Sequence, residues 1–447
     1  MKRLLFTYRP WLLMTVVLAG SLSLSAQSVL PPDIASRPAS DFLDLQQGVT
    51  ESELVTRALA SNPTLLAQRQ QIAMAKGDVV QANLRKNPSL TLGGLKEVNG
   101  GDNSFNVGGM LPLELYGRRA RRTEVAQSKE DATQQSVADQ ERLLTGEVRT
   151  RFGEALASIR NLMFVEQLLQ VNQDFLKLME DRVREGATPP LDADETRVEV
   201  NRIETLRIDY QAKTEIALLA LKEAVGIDPE ESIRLKGALE LAPLTYDQKL
   251  LLQLAMDHRP DLAFQRANEA LANAELRLDK TTAKPDASIF GGYQRPDSGF
   301  SQQGFDAAGN LTPIRQTFNY ATFGLNIDLP LFNRNQGAVV SDTAAIQAAR
   351  SQVAAVNLSL RHEVSQNLVR LNGAQTRVMV YRSGVRDQAN HNLDVVRQTY
   401  SYGRTTLLDV IAEQRRYIDI ETGYTDILLD AYAARIALEQ AVGTNLP

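Results

Sequence analysis

The 447-residue chain contains no cysteine. That absence rules out disulfide staples, a thiolate metal site and an N-terminal lipid joined through cysteine, so stability has to come from packing and assembly. Histidine is nearly as scarce. His258, His362 and His391 are scattered, and the eight methionines show no clustered ligand spacing, which leaves no metal site to read. Enzyme signatures are missing too: there is no G-x-S-x-G and no Walker sequence. The Gly93-Gly94 and Gly108-Gly109 pairs precede no helix of the pattern a phosphate loop requires. Beyond the N-terminus, no segment approaches the roughly 20 apolar residues of a transmembrane helix. Basic excess is lacking as well, with 49 Lys and Arg against 54 Asp and Glu, and nucleic acid drops out as a partner.

What is there begins with an export leader. Lys2, Arg3 and Arg9 precede the apolar run from Trp11 to Ala19, and small residues follow at Ser21, Ser23, Ser25 and Ala26. Residues 1–26 therefore read as a signal peptide. Residues 27–47, with Pro31, Pro32 and Pro38, read as an extended arm.

The rest of the chain repeats itself. Leu54, Ala58, Pro63, Gln68, Arg69 and Ala73 recur as Leu251, Ala255, Pro260, Gln265, Arg266 and Ala270, every pair 197 positions apart. Gly186, Leu191, Asp192, Ile203, Glu204 and Gly226 recur as Gly403, Leu408, Asp409, Ile420, Glu421 and Gly443, now 217 apart. A unit this long is no solenoid repeat but a half-subunit in tandem. The first copy is expected over 48–226, with strands about 88–112 and a helical hairpin about 114–226. A linker or equatorial segment follows over 227–248. The second copy covers 249–447, with strands about 286–330 and a hairpin about 332–443.

Long helices dominate the expectation. Leu144, Val148, Phe152, Leu156, Ile159 and Met163 step by three or four, as do Leu360, Val364, Leu368 and Leu371, which predicts helices packed along one stripe. No proline interrupts Arg118 to Glu185, a rod of about 100 Å at 1.5 Å per residue. Each rod ends at a glycine turn, Gly186 or Gly403, after which the chain returns as a second helix. Alanines from Ala344 to Ala355 thin one rod and permit close approach of a neighbour.

Between helices lie the β segments. Ser89–Leu92 and Phe105–Val107 flank the turn Gly100-Gly101-Asp102-Asn103, while Ala287–Phe290 is expected to pair with Phe318–Ile327 across a polar loop from Pro296 to Thr317. Strands of roughly 9 to 11 residues suit an outer-membrane crossing. Four strands cannot close a barrel, and open edges are not tolerated in hydrocarbon, so several chains would pool them. Three copies give twelve strands.

Arg259-Pro260-Asp261-Leu262, the Leu-Pro-Leu strand exits, Tyr400-x-x-Gly403 followed by Leu407-Leu408-Asp409-Val410, and the terminal Leu438 to Gly443 resemble the TolC family of outer-membrane efflux channels. Asn87-Pro88-Ser89-Leu90 and Leu113 to Arg119 look most like its cobalt-zinc-cadmium resistance branch. The resemblance implies a mainly α protein with a transmembrane β part. In that arrangement a homotrimer builds a twelve-stranded barrel continuous with a twelve-helix periplasmic tunnel, docked on a periplasmic adaptor and an inner-membrane pump. It implies a passive duct that needs no cofactor. A drug-efflux or type I protein-secretion duct is the alternative within the family. A periplasmic coiled-coil scaffold without a pore is the alternative outside it.

The resemblance also places Asp409 at the narrow periplasmic entrance, where threefold symmetry would make a carboxylate ring. Its repeat mate Asp192, with Asp194 and Glu195, would line the same entrance. Tyr400 and Arg404 match or adjoin the position that ties hairpins together when the entrance is closed. The second aspartate sometimes found one turn after Asp409 is Ala412 here. Each acidic residue has a plainer reading, since carboxylates favour the first turn of a helix. Arg118, Arg119, Arg121 and Arg122 form the densest basic cluster, suited to lipid head groups or acidic neighbours where strand becomes helix.

Overall fold

Helix starts in this chain are set by capping side chains and prolines. The computed structural model describes residues 37–240 and 242–446, so the expected leader and residues 27–36 of the arm lie outside the described residues. Thr50 and Glu53 close a reciprocal capping box that opens α1 (Glu51–Ser61). Asn62 accepts from the Leu65 N–H at 3.0 Å and opens α2 (Pro63–Asn83), with proline at the first position, where a missing donor costs nothing. Strands β1 (Ser89–Lys96) and β2 (Asn103–Pro112) follow, then α3 (Arg118–Arg184) and α4 (Pro190–Val225). The second half runs α5 (Gln248–His258), α6 (Pro260–Thr282), β3 (Asp286–Phe305), β4 (Leu311–Thr317) and β5 (Tyr320–Asp328). It ends with α7 (Gln336–Tyr381), a π-turn at Arg382–Arg386, α8 (Asp387–Ser401) and α9 (Leu407–Val442).

The duplication is visible in individual bonds. Asn62 Nδ2 donates to the Ala224 carbonyl at 2.9 Å, and Arg259 Nη1 donates to the Ala441 carbonyl at 2.9 Å, so repeat-related side chains cap repeat-related helices. Beside them Gly226 and Gly443 end α4 and α9 at φ 81° and 82°. A Cβ at either would press on the backbone of residue 62 or 258, at 3.0 and 3.2 Å. The close joint and the left-handed turn thus call for glycine together.

Three buried clusters run along the helices. The largest packs Val148, Phe152, Ile159 and Leu162 of α3 against Leu221 of α4 and Tyr424, Leu428 and Tyr432 of α9. A second joins Leu251, Leu262, Leu360, Val364 and Leu438, and a third Val165, Leu168, Val200, Ile203 and Ile418. The described part of the arm is not extended. Ala39–Asp41 forms a 3₁₀ turn, Phe42 is buried in the largest cluster, and Leu43 and Val49 bridge to Leu235 of the segment between the halves. An apolar Phe-Leu pair wins over the local preference of Pro38 because it can be buried here.

The sheet corrects the expected strands in two respects. β3 has 20 residues rather than roughly 9 to 11, and the stretch from Pro296 to Thr317 is largely strand rather than a polar loop. All neighbours are antiparallel, in the order β1-β2-β3-β4, with β5 beside the first half of β3. At the level of β5 the sheet is therefore four strands wide, and the β3–β4 hairpin extends beyond it.

Candidate functional site

The register divides the four-stranded level into two unlike faces. Leu92 lies opposite Val107, Val107 opposite Tyr293, Leu111 opposite Ile289 and Ile289 opposite Leu325, which puts these residues on one face with Leu90, Phe323 and Ile327. That face is apolar and open: Leu90 is 71% and Phe323 88% exposed. The other face is mainly polar and small: Thr91, Asn106, Gln294, Ser288, Thr322 and Asn326, with Gly108, Gly292 and Gly324, and with Met110, Phe290 and Tyr320 among them. One side suits hydrocarbon and the other water. Among the described residues, β1 pairs only with β2 and β5 only with β3, so both lateral edges keep free hydrogen-bonding groups.

Arginines clamp the passage from strand to helix. Arg118 pairs with Asp286 at 3.1 Å and donates to the Lys284 and Thr282 carbonyls. Arg122 reaches Glu114 at 2.7 Å and the carbonyls of Ala82 and Leu84, both at 2.9 Å. Burial works to raise the Glu114 carboxyl, and the Arg122 guanidinium outweighs it and holds the group below its ordinary range. Arg121 pairs with Glu124, while Arg119 has no ion pair among the described residues. Of the two roles expected for this cluster, the protomer supplies the acidic neighbours.

At the opposite end the two hairpin turns are built alike. Gly186 and Gly403 stand at φ 72° and 70°. Ala187 donates to the Arg182 carbonyl and Arg404 to the Thr399 carbonyl, closing the same left-handed cap twice. Thr406 then opens α9 through a capping box with Asp409: the carboxylate accepts from the Thr406 N–H at 2.9 Å and hydroxyl at 2.7 Å. These bonds hold the exposed Asp409 carboxyl below its usual range.

The structure brings Tyr400 and Asp192 together across the two hairpins. The Tyr400 hydroxyl lies 3.5 Å from Asp192 Oδ2 and its ring meets Phe175 edge-on at 6.3 Å. Burial, with Asp192 beside it, raises the phenol. Asp194 instead pairs with Arg197 at 2.9 Å, and the Arg404 side chain has no partner among the described residues. Asp409 and Arg404 therefore stand apart from the Tyr400–Asp192 contact within one chain.

Two polar ties escaped the sequence reading. Buried Gln414 donates to buried Asn172 at 3.0 Å, joining α9 to α3. Glu199, 2% exposed, accepts from Arg202 of its own helix at 2.6 Å and from Arg415 of α9 at 2.9 Å. The available signal was an acid on the apolar stripe of Thr196, Val200 and Ile203, where a carboxylate is buried only with partners.

Comparison with known proteins places this geometry. The family model described as outer membrane efflux protein matches residues 54–227 and 251–444. The cobalt-zinc-cadmium resistance protein CzcC of Cupriavidus metallidurans is 22% identical over 400 residues, covering 88% of this chain and 90% of that protein. Outer membrane protein TolC of Vibrio cholerae is 21% identical over 404 residues, with the same coverage. Among solved structures, CusC superposes with a TM-score of 0.70 at 18% identity, covering 88% of this chain and 92% of the other. The open state of the Neisseria gonorrhoeae MtrE outer membrane channel also gives 0.70, at 17% identity and 89% coverage of each chain. The family match takes in both halves of the repeat and most of the chain, so this protein belongs to the outer membrane efflux protein family, whose members are channels and not enzymes.

Proposed function

We propose that three copies of this chain form a passive outer-membrane duct for small solutes, fed by an inner-membrane pump of the resistance-nodulation-division type through a periplasmic adaptor. The carrying observation is the four-stranded, two-faced sheet with free edges at β1 and β5, whose strands β2 and β5 run into the two long helical hairpins. Three such sheets joined edge to edge make a twelve-stranded barrel with its apolar face toward lipid and its polar face toward the lumen. The helical layer supports the same count. Exposed Leu66, Met74 and Val80 on α2, and exposed Val340 and Leu358 with the small Ala344, Ala348 and Ala355 on α7, leave two complementary flanks for neighbouring copies.

In this reading residues 1–26 are the leader, 48–226 and 249–447 the two structural repeats, and 227–248 the equatorial segment. Repeat mates Leu191 and Leu408, 62% and 60% exposed at the two hairpin ends, offer the adaptor a matching pair of apolar contacts. Asp409 lines the entrance as a threefold ring with Asp192 and Asp194 near it, and Tyr400 and Arg404 act at the closed tip. Divalent heavy-metal cations are the proposed cargo, supported by the likeness to a cobalt-zinc-cadmium resistance protein. The test is the conductance of purified, detergent-extracted protein in planar bilayers. A water-soluble monomer that never enters lipid would overturn the duct in favour of a periplasmic scaffold.

A further inference from the structure

A cavity of about 450 Å³ opens between α3, α8 and α9 just above the hairpin turns. Small-molecule sites occupy about 300–1,000 Å³. Its walls are mostly apolar, with Phe175, Leu178 and Met179 on one side and Val410 and Ile411 on the other. Two cations on its walls, Arg182 of α3 and Arg397 of α8, have no ion pair among the described residues. Arg397 donates only to the neutral Gln414 side chain, at 3.3 Å.

The acids that line the cavity are spoken for. Glu199 is shared by Arg202 and Arg415, and Asp174 at the rim pairs with Lys177 at 3.1 Å. Asp394, one turn earlier on α8, is exposed and beyond ion-pairing distance. Burial pulls the Arg397 guanidinium below its ordinary range, and the attraction of the more distant Asp394 and Tyr417 does not make up for it. Of its five N–H donors one is engaged, which leaves a fork free for bidentate recognition.

We infer that this cavity binds an amphiphilic monocarboxylate, its head on the Arg397 guanidinium and its aliphatic chain along the α3 and α9 walls. The carboxylate supplies the missing counter-charge, and the apolar walls give the chain a place that water cannot use well. A ligand seated there touches both hairpins of one protomer and fastens α3 to α8. The site is independent of the duct proposed above, and its test reads binding rather than conductance.

The experiment uses the exported protein in a non-ionic detergent, with Leu178→Trp as its reporter, since the one natural tryptophan, Trp11, lies in the leader. A bromine-bearing dodecanoate is expected to quench the reporter saturably, and plain dodecanoate to restore the signal. Arg397→Gln should weaken binding by at least about tenfold, and Arg397→Lys should recover part of it. The methyl ester of the same acid, tested on the protein with Arg397 intact, should bind as poorly as the acid binds Arg397→Gln. Equal quenching by acid and ester, an unchanged affinity in Arg397→Gln, or no saturable quenching at all would each overturn the inference.

Discussion

Glu199 and Arg415 join the first hairpin to α9 near the tip, and the strength of that tie can be worked out from its surroundings. The carboxylate is 2% exposed while the Arg415 side chain is 52% exposed. Charge-assisted hydrogen bonds contribute about 1.5–3 kcal/mol, and the half-solvated arginine places this one at the lower end, near 1.5 kcal/mol. The Arg202 contact lies within α4 at i,i+3 spacing and stabilises that helix by about 0.2–0.5 kcal/mol. Of these two contacts of Glu199, only the one to Arg415 crosses between the hairpins. A double-mutant cycle of Glu199→Gln, Arg415→Gln and the pair should therefore return a coupling of about 1.5 kcal/mol, which is about tenfold in the population of tip conformers that break the contact. Hydrogen exchange at the second-turn amides of α9, Ile411 to Gln414, which are bonded within the helix, reads that population. Arg202→Gln should leave those amides close to wild type. A coupling below about 0.3 kcal/mol, the scatter of independent sites, would refute the assignment of the tie.

Three further outcomes follow from the same geometry. Burial acts to raise the Glu199 carboxyl, yet its two arginines outweigh it and the group ends below its ordinary value of 4.5. A depressed acid contributes stability that is present above that unfolded value and lost as pH falls through the folded one, so the protection of tip amides, taken relative to their intrinsic exchange rate at each pH, should fall below about pH 4.5 in wild type and change less in Glu199→Gln. On the sheet, Phe323→Arg sets a cation on the apolar face at a cost of about 2–4 kcal/mol near the midplane and should cut recovery from outer membrane, whereas Thr322→Arg on the polar face should insert normally and alter conductance. Equal recovery of the two would reverse the face assignment. Asp409→Asn keeps a capping oxygen toward Thr406 but removes three charges from a trimer, so cation block in bilayers should weaken while tip exchange changes little. Unchanged block would remove Asp409 from the entrance.

Much of the helical frame was legible because its signals are local. A proline-free run foretold α3, and Gly186 and Gly403 marked turns that need left-handed backbone. β3 beyond Pro296 was not legible. Its residues there, such as Ser301, Gln302 and Gln303, face water, and no alternation marks a strand that buries nothing. The π-turn at Arg382–Arg386 left only a faint trace: Leu144, Val148 and Phe152 match Leu360, Val364 and Leu368 at a spacing of 216, while the glycine turns match at 217. One extra residue turns the helix by about 100° and shows as a bulge instead of a break. At the tip, Tyr400 and Asp192 were picked out singly, but their meeting depends on how two hairpins cross. Arg397 and Glu199 went unnoticed because charged residues on a long helix are usually solvated, and only the packing of α8 and α9 distinguishes these two.

The joints that hold α2 and α6 against the ends of α4 and α9 share a shape but not a chemistry. Asn62 makes its joint with an uncharged amide, whereas Arg259, 6% exposed, makes the matching one with a cation that also grips Asp261 at 2.7 Å and Glu363 at 2.9 Å. Descent from one ancestral half has thus kept the architecture while making one seam electrically neutral and the other dependent on two ionised acids. Asp261, which Arg259 holds below its ordinary range, gives the second seam a carboxylate that acid can neutralise, whereas the Asn62 amide offers no such group, so of the two matched joints acid loosens the charged one.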